Sequence, residues 1–331
     1  MEDCKLSIDE IQRISPTVKE VFTYLFAVYI PFTISFNGAL IISFIATKQV
    51  NITISNFLIV CLCVAEGING AVTMPLLVNH LYKEGKTDNC SLNIATQVML
   101  GVSVSISPHI TILIAVDRYI HMNPNIEKPP SKISKTFKRP WIYLLLLFCL
   151  LAAVSYGVAC IFVAHLGSSA KAAWNIVMML FYGVAMAAMI TIYVRGYLRV
   201  RRFVNDRSTH ASLSHEPPLY LRKLYVTVLL LVVTFCVTYI PICLVVLAGA
   251  AIAIGGTDHT PPLLYVLYFA AVLILDANGI INCLIVIHRN PKAKKWLSNK
   301  LCFYKSQPGG SDNNAIIFTN HGIEGSSIIT N

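Results

Sequence analysis

Apolar residues gather into seven long runs along the chain, with short polar segments between them. The runs are Phe22–Ala46, Ser55–His80, Ile94–Arg118, Trp141–His165, Ala173–Tyr197, Lys223–Ala250 and Pro262–Ile287. A helix of roughly 20 apolar residues crosses a bilayer core about 30 Å thick, because each residue rises about 1.5 Å. Every run meets that length. The pattern predicts an all-α fold, a seven-transmembrane-helix bundle, since a helix satisfies its own backbone hydrogen bonds within lipid. Around the bundle of residues 22–287 stand a polar N-terminal segment (1–21), a short amphipathic eighth helix (288–303) and a tail (304–331). The tail is rich in Gly, Ser and Asn and reads as disordered. The first run follows a polar segment directly and is expected to act as its own signal anchor.

Composition agrees with this reading. Hydrophobic residues make up 56% of the 331 and charged residues 13%, against about one quarter charged in soluble domains. A formal charge of +10 raises the question of nucleic acid, but the placement of the charges answers it. Only Lys5, Arg13, Lys19, Lys83, Lys86 and Lys171 fall on the side of the N-terminus, while the other 20 of 26 basic residues fall on the opposite side. They cluster at Lys128–Arg139, Arg195–Arg207, Arg222–Lys223 and Arg289–Lys305. Basic residues stay cytoplasmic, so the N-terminus lies outside and the C-terminus inside. The expected location is the plasma membrane, with membrane lipids as partners and no nucleic acid.

Ten Cys do not form a disulfide framework, because Cys61, Cys63, Cys149, Cys160, Cys236, Cys243 and Cys283 lie in spans, where Cys is usually packing. Cys4 and Cys90 face the oxidising side, which leaves at most one bridge, Cys4–Cys90. Asn89-Cys90-Ser91 is a glycosylation sequon on the outer side, close to the third span. Cys302 follows the last span on a basic segment and is a palmitoylation candidate.

The third span ends in Asp117-Arg118-Tyr119. A charged pair at the inner end of an apolar helix is costly unless paired or snorkelling to water. The plain reading is an interfacial anchor; at the end of the third of seven helices the tripeptide resembles the rhodopsin-like (class A) G-protein-coupled receptors. Other spans carry landmarks similar to theirs. They are Phe36-Asn37-Gly38, Leu62-Cys63-Val64-Ala65-Glu66, Met74-Pro75, Phe235 with Thr238-Tyr239-Ile240-Pro241, and Asn278-Gly279-Ile280-Ile281-Asn282. Glu66 stands where the family has Asp, and Cys283 and Val286 stand where it has the Pro and Tyr of Asn-Pro-x-x-Tyr. The resemblance covers residues 22–303. The absence of a proline in the fifth span and of a Cys in the second outer loop looks most like the melanocortin, lysophospholipid, cannabinoid and adenosine receptor group. The acidic cluster with which melanocortin receptors hold a peptide is missing, its positions being Leu76, Asn93 and Gln97.

The resemblance implies an activation switch and G-protein seat at Asp117, Arg118, Tyr119, Phe235, Tyr239, Pro241 and Asn282. It implies heterotrimeric G protein and arrestin as inner partners, and an extracellular ligand held by Leu100, Val104, Tyr239, Cys243 and Asp276. That pocket is mostly apolar and favours a small apolar or lipid-like ligand. Glu66 sits mid-span, where an ionised carboxylate is expensive. It is either a protonated, hydrogen-bonded group or, with Ser107, Asn278 and Asn282, the site of an allosteric sodium ion; no other cofactor is expected. Asp276 stands at the retinal-binding Lys of opsins, which argues against an opsin. It either meets a cationic ligand or bonds to Tyr239 or Glu66. His109 reads as packing, and Pro108 frees one backbone carbonyl. No catalytic motif is present, so no enzyme is expected. The rival functions are a chemosensory receptor of the same fold and a seven-span transporter or ligand-gated channel.

Overall fold

The computed structural model describes residues 15–51, 53–82, 90–121, 139–164, 168–209, 219–255 and 261–301. Apolar runs set the helices, and polar caps set several of their ends. Helix α1 (Pro16–Ala46) opens with proline in its first turn, where the missing N–H has no helical partner to lose. Helix α2 (Ile54–Tyr82) is capped by Thr53, whose hydroxyl accepts from the Asn56 amide at 3.2 Å. It carries one π turn, Asn69–Thr73, just before Met74-Pro75. Helices α3 (Cys90–His121), α4 (Arg139–Ala164), α5 (Ser168–Thr209), α6 (Leu219–Ile254) and α7 (Pro262–Arg289) follow. Helix α8 (Pro291–Leu301) is capped by Asn290, whose Oδ1 accepts from the Lys292 and Ala293 amides at 3.1 Å each.

Most helices run several residues beyond the apolar stretches that mark them. Helix α5 continues past Tyr197 to Thr209, and α3 begins at Cys90 rather than Ile94. A helix need not stop where its lipid-facing stretch stops; polar turns extend it into water. Seven of the helices are long and apolar enough to cross a membrane.

Neighbours pack in a ring, α1 on α2, α2 on α3, α3 on α4, α4 on α5, α5 on α6, α6 on α7 and α7 on α1. Helix α3 also touches α5 and α6, so it runs through the middle. Burial agrees: the most apolar window of α3 is 50% buried and that of α4 only 17%. Helix α4 instead turns Leu144, Leu147, Phe148 and Leu151 outward. So many exposed large apolar residues suit lipid rather than water.

The described core falls into two large clusters, an inner and an outer one, and a small third around Tyr193 and Val232. The inner one joins Leu40, Phe44, Leu58, Leu62, Ile110, Ile114 and Val286. The outer one joins Phe26, Leu77, Met189, Phe235, Tyr239, Phe269 and Val272. Helices α3 and α4 approach backbone to backbone at Gly101 and Gly157. A Cβ on Gly157 would lie 2.6 Å from the Val98 carbonyl oxygen, and one on Gly101 would lie 2.9 Å from Gly157 Cα. Helix α8 seats Ala293 and Leu297 inward and leaves Lys292, Lys294, Lys295 and Lys300 exposed. Its start is tied to the turn after α1, where Asn290 Nδ2 donates to Gln49 Oε1 at 2.6 Å.

Candidate functional site

Buried polar side chains concentrate between the two apolar clusters, on α1, α2, α3, α6 and α7. Glu66 is at the centre, 5% exposed, and Ser107 Oγ donates to its Oε1 at 2.6 Å. Asn278 and Asn282, four residues apart, both turn inward from α7. Glu66 borders two small cavities. One, of about 10 Å³, includes Asn37, Cys63, Asn282 and Cys283; the other, of about 20 Å³, includes Ser107, Asn278, Asp276 and Tyr239. The Oδ1 atoms of Asn278 and Asn282 are buried without a hydrogen-bond partner.

Glutamate here is one methylene longer than the family's aspartate, and α7 provides the room. A Cβ at Gly279 would lie 2.6 Å from Glu66 Oε2, 3.0 Å from Cδ and 3.2 Å from Cγ. The absent side chain of Gly279 is where the longer carboxylate rests. Residue types alone hint at this pairing only once both helices are known to face each other.

Glu66, the Ser107 hydroxyl and the unpartnered Asn278 oxygen line one cavity and the unpartnered Asn282 oxygen lines the other; these are hard-oxygen groups of the kind that alkali and alkaline-earth cations take. Among the described residues no cluster of three or more His, Cys, Asp or Glu occurs that could hold a softer metal.

Asp276 departs from both partners expected of it. Asn69 Nδ2 donates to its Oδ1 at 3.0 Å, from α2 across to α7. The π turn that starts at Asn69 adds a residue to one turn, and Asn69 and Thr73 both point inward there. Thr73 in turn shares a hydrogen bond of 2.8 Å with Ser103 on α3.

Tyr239 is engaged elsewhere. Proline has no N–H, so Pro108 leaves the carbonyl of Val104, four residues earlier, without its helical donor. Tyr239 Oη donates to that carbonyl at 3.0 Å. A helix defect in α3 thus becomes a latch to α6. The ring of Tyr239 lies 4.1 Å from that of Phe235 and 6.2 Å from that of Tyr182 on α5. Leu100, Val104, Tyr239 and Asp276 line one cavity together; Cys243, one turn beyond Tyr239, is half-buried and does not border it. Pro241 is half-buried on α6, next to the buried Ile242.

At the inner end, Asp117 is buried at 2% exposure and accepts a hydrogen bond from the Ser55 hydroxyl of α2. Arg118 follows in the same helix and Tyr119 is half-buried. His109 behaves as packing: its Nδ1 donates to the Ser105 carbonyl and its ring lies 5.9 Å from Phe181. Cys283 and Cys63 meet between α7 and α2 with sulfurs 3.8 Å apart, and the Cys283 thiol donates to Asn37 Oδ1 at 2.9 Å. These two cysteines join helices rather than merely filling space. Cys4, Asn89 and Cys302 lie outside the described residues.

No curated protein matches the sequence. The family model of the 7 transmembrane receptor (rhodopsin family) matches residues 36–285, which reaches from Phe36-Asn37 on α1 to Ile285 near the inner end of α7 and takes in every buried polar group described above. The chain is therefore a multi-pass membrane receptor and belongs to the rhodopsin family of seven-transmembrane receptors.

Proposed function

We propose that this receptor, at the plasma membrane, converts binding of a small, largely apolar extracellular ligand into activation of a heterotrimeric G protein. The observation that carries the reading is a set of separate inter-helix polar contacts spaced through the bundle: Asn69–Asp276, Tyr239–Val104, Ser107–Glu66 and, beside Arg118, Ser55–Asp117. Leu100, Val104, Val272 and Leu275 give the outer cavity an apolar wall, which faces polar groups that include Glu66, Tyr239, Asp276 and Asn278. The apolar wall suits an apolar or lipid-like ligand, and the polar groups opposite suit the few polar atoms it carries.

A ligand that enters between α3, α6 and α7 and moves Tyr239 breaks the hydroxyl–carbonyl bond to Val104. It thereby biases a two-state bundle, in proportion to its differential affinity for the two states. Helix α6 then pivots at Pro241, whose missing N–H already weakens the ladder. The inner mouth at Asp117-Arg118-Tyr119 opens to a G protein and afterwards to arrestin, with the basic inner segments and membrane lipids around it. A cation beside Glu66 favours the resting arrangement by binding groups of α2, α3 and α7 together.

A library of apolar and lipid-like ligands applied to transfected cells, read by cyclic AMP and calcium, tests the proposal. A ligand that raises signalling in wild type but adds nothing to the already raised ligand-free level of Tyr239→Ala, at equal surface density, supports it. Ligand-evoked ion current without any G protein would overturn it in favour of a channel.

A further inference from the structure

Cys63 on α2 and Cys283 on α7 are both buried, and their sulfurs touch at 3.8 Å. The Cys283 thiol donates its one proton to Asn37 Oδ1 on α1 at 2.9 Å. That amide is itself held, since Asn37 Nδ2 donates to the Thr33 carbonyl at 2.9 Å. With the Cys283 proton committed, the proton between the two sulfurs is that of Cys63. The Cys283 sulfur thus accepts a hydrogen bond, which stabilises charge that develops there as its own proton leaves. Asn37, Cys63 and Cys283 also border one cavity of about 10 Å³, room for one small polar molecule. The contacts proposed to carry the signal use neither thiol.

We propose that Cys63 and Cys283 are an oxidation site: a small, membrane-permeant hydroperoxide such as hydrogen peroxide converts them to a disulfide that ties α2 to α7 and holds the receptor at rest. The hold on signalling rests on the receptor activity proposed above; the chemistry does not. In the first step an electron pair of the Cys283 sulfur attacks one peroxide oxygen, and the O–O bond breaks. The departing hydroxide takes the thiol proton and leaves as water, and Cys283 becomes a sulfenic acid. In the second step the Cys63 sulfur attacks the Cys283 sulfur and the S–O bond breaks. The hydroxide released takes the Cys63 proton as a second water. Two thiols have then lost two electrons to one peroxide. The sulfurs close from 3.8 Å to about 2.05 Å, a movement shared between the two side chains. Buried thiols react slowly as a rule; the hydrogen bond from Cys63 and the adjoining cavity set Cys283 apart from a solitary one. The bond forms one turn along α7 from the contact of Gly279 with Glu66, so it fixes that helix where it packs most closely on α2.

The test treats full-length receptor in lipid nanodiscs with excess hydrogen peroxide, then unfolds it in N-ethylmaleimide, digests it and weighs the peptides by mass spectrometry. The expected result is a peptide pair that joins Cys63 to Cys283 in most of the receptor, lighter by two hydrogens than the separate peptides and split by dithiothreitol. Oxidised receptor should melt higher than reduced receptor, by on the order of 5 °C. Cys63→Ala and Cys283→Ala, treated alike, should show no rise; should one fail to fold, the other serves alone. Recovery of both residues as capped free thiols would overturn the site. So would sulfinic or sulfonic acid at either residue without the link, linkage of either to another cysteine, or the same rise in Tm in a variant. Ligand-free nucleotide uptake by an added G protein should fall roughly tenfold or more on oxidation of wild type and stay level in Cys63→Ala. A linked receptor with undiminished uptake would overturn the hold on signalling. No uptake even from reduced receptor would count against the proposed function instead, with the link still decided by the mass spectrum.

Discussion

Gly279→Ala probes the fit of α7 against Glu66. The added methyl lies 2.6 Å from Glu66 Oε2, inside any ordinary contact distance. The carboxylate does not swing clear freely, since Ser107 holds its other oxygen at 2.6 Å. Overpacking of this kind costs typically about 1–3 kcal/mol. The helix preference for Ala over Gly returns about 1 kcal/mol, so the net loss beside Glu66 is about 0–2 kcal/mol. Glu66→Asp withdraws the carboxylate by about one carbon–carbon bond, roughly 1.5 Å, and leaves only the preference for Ala. Gly279→Ala should therefore lower Tm in the wild-type background and raise it in the Glu66→Asp background. The coupling of about 1–3 kcal/mol exceeds the 0.3–0.5 kcal/mol or so within which independent sites add. Thermal melting of wild type, both single variants and the double variant in lipid nanodiscs measures it. Equal Tm shifts from Gly279→Ala in both backgrounds would refute the proposed fit.

Other substitutions separate latch, packing and tether. Tyr239→Phe removes the bond to the Val104 carbonyl, which leaves a buried acceptor unpaired at a cost of about 1–3 kcal/mol; ligand-free signalling should rise at equal surface density, and an unchanged baseline would show that the latch does not hold the resting state. Gly157→Ala sets a methyl 2.6 Å from a backbone oxygen that cannot rotate away, so surface expression should fall further than for Gly279→Ala, and wild-type expression would contradict the close α3–α4 packing. Mild dithiothreitol should leave ligand binding nearly unchanged, because the segment between α4 and α5, 165–167, carries no Cys to tie down α3; loss of binding would reveal a bridge such as Cys4–Cys90.

Much of this architecture is legible in the chain. Helix positions follow from apolar length, and the inward turn of both Asn278 and Asn282 follows from their spacing of four. The contact of Glu66 with Ser107 follows from the resemblance carried by Ala65-Glu66 and Asp117-Arg118-Tyr119. Pro108 announces a free carbonyl, though not the tyrosine that finds it. What stays hidden depends on helix rotation. Nothing in Asn69–Thr73 marks a π turn, yet that turn carries Asn69 to Asp276 and Thr73 to Ser103. The residues alone therefore point Asp276 to Tyr239 or Glu66 and miss Asn69. Gly279 has meaning only opposite a glutamate, and Cys63 and Cys283 meet 220 residues apart. Pairings of that range are set by how whole helices pack, and local spacing does not encode them.

Receptor-driven nucleotide exchange tests the central claim most directly. Wild type and Arg118→Ala, reconstituted at matched density with each class of purified heterotrimeric G protein, are compared for guanine-nucleotide uptake without ligand. Arg118 follows the buried Asp117 at the inner end of α3, and no acid stands in the stretch Leu219-Tyr220-Leu221-Arg222-Lys223 to hold it at rest. Loss of one partly exposed ion pair is worth about 0.3–1 kcal/mol, a rise of up to a few-fold in the active population. The predicted result is uptake with at least one G-protein class that grows with wild-type density and is abolished in Arg118→Ala. Uptake no greater than with empty nanodiscs for every class, or equal for wild type and variant, would contradict it.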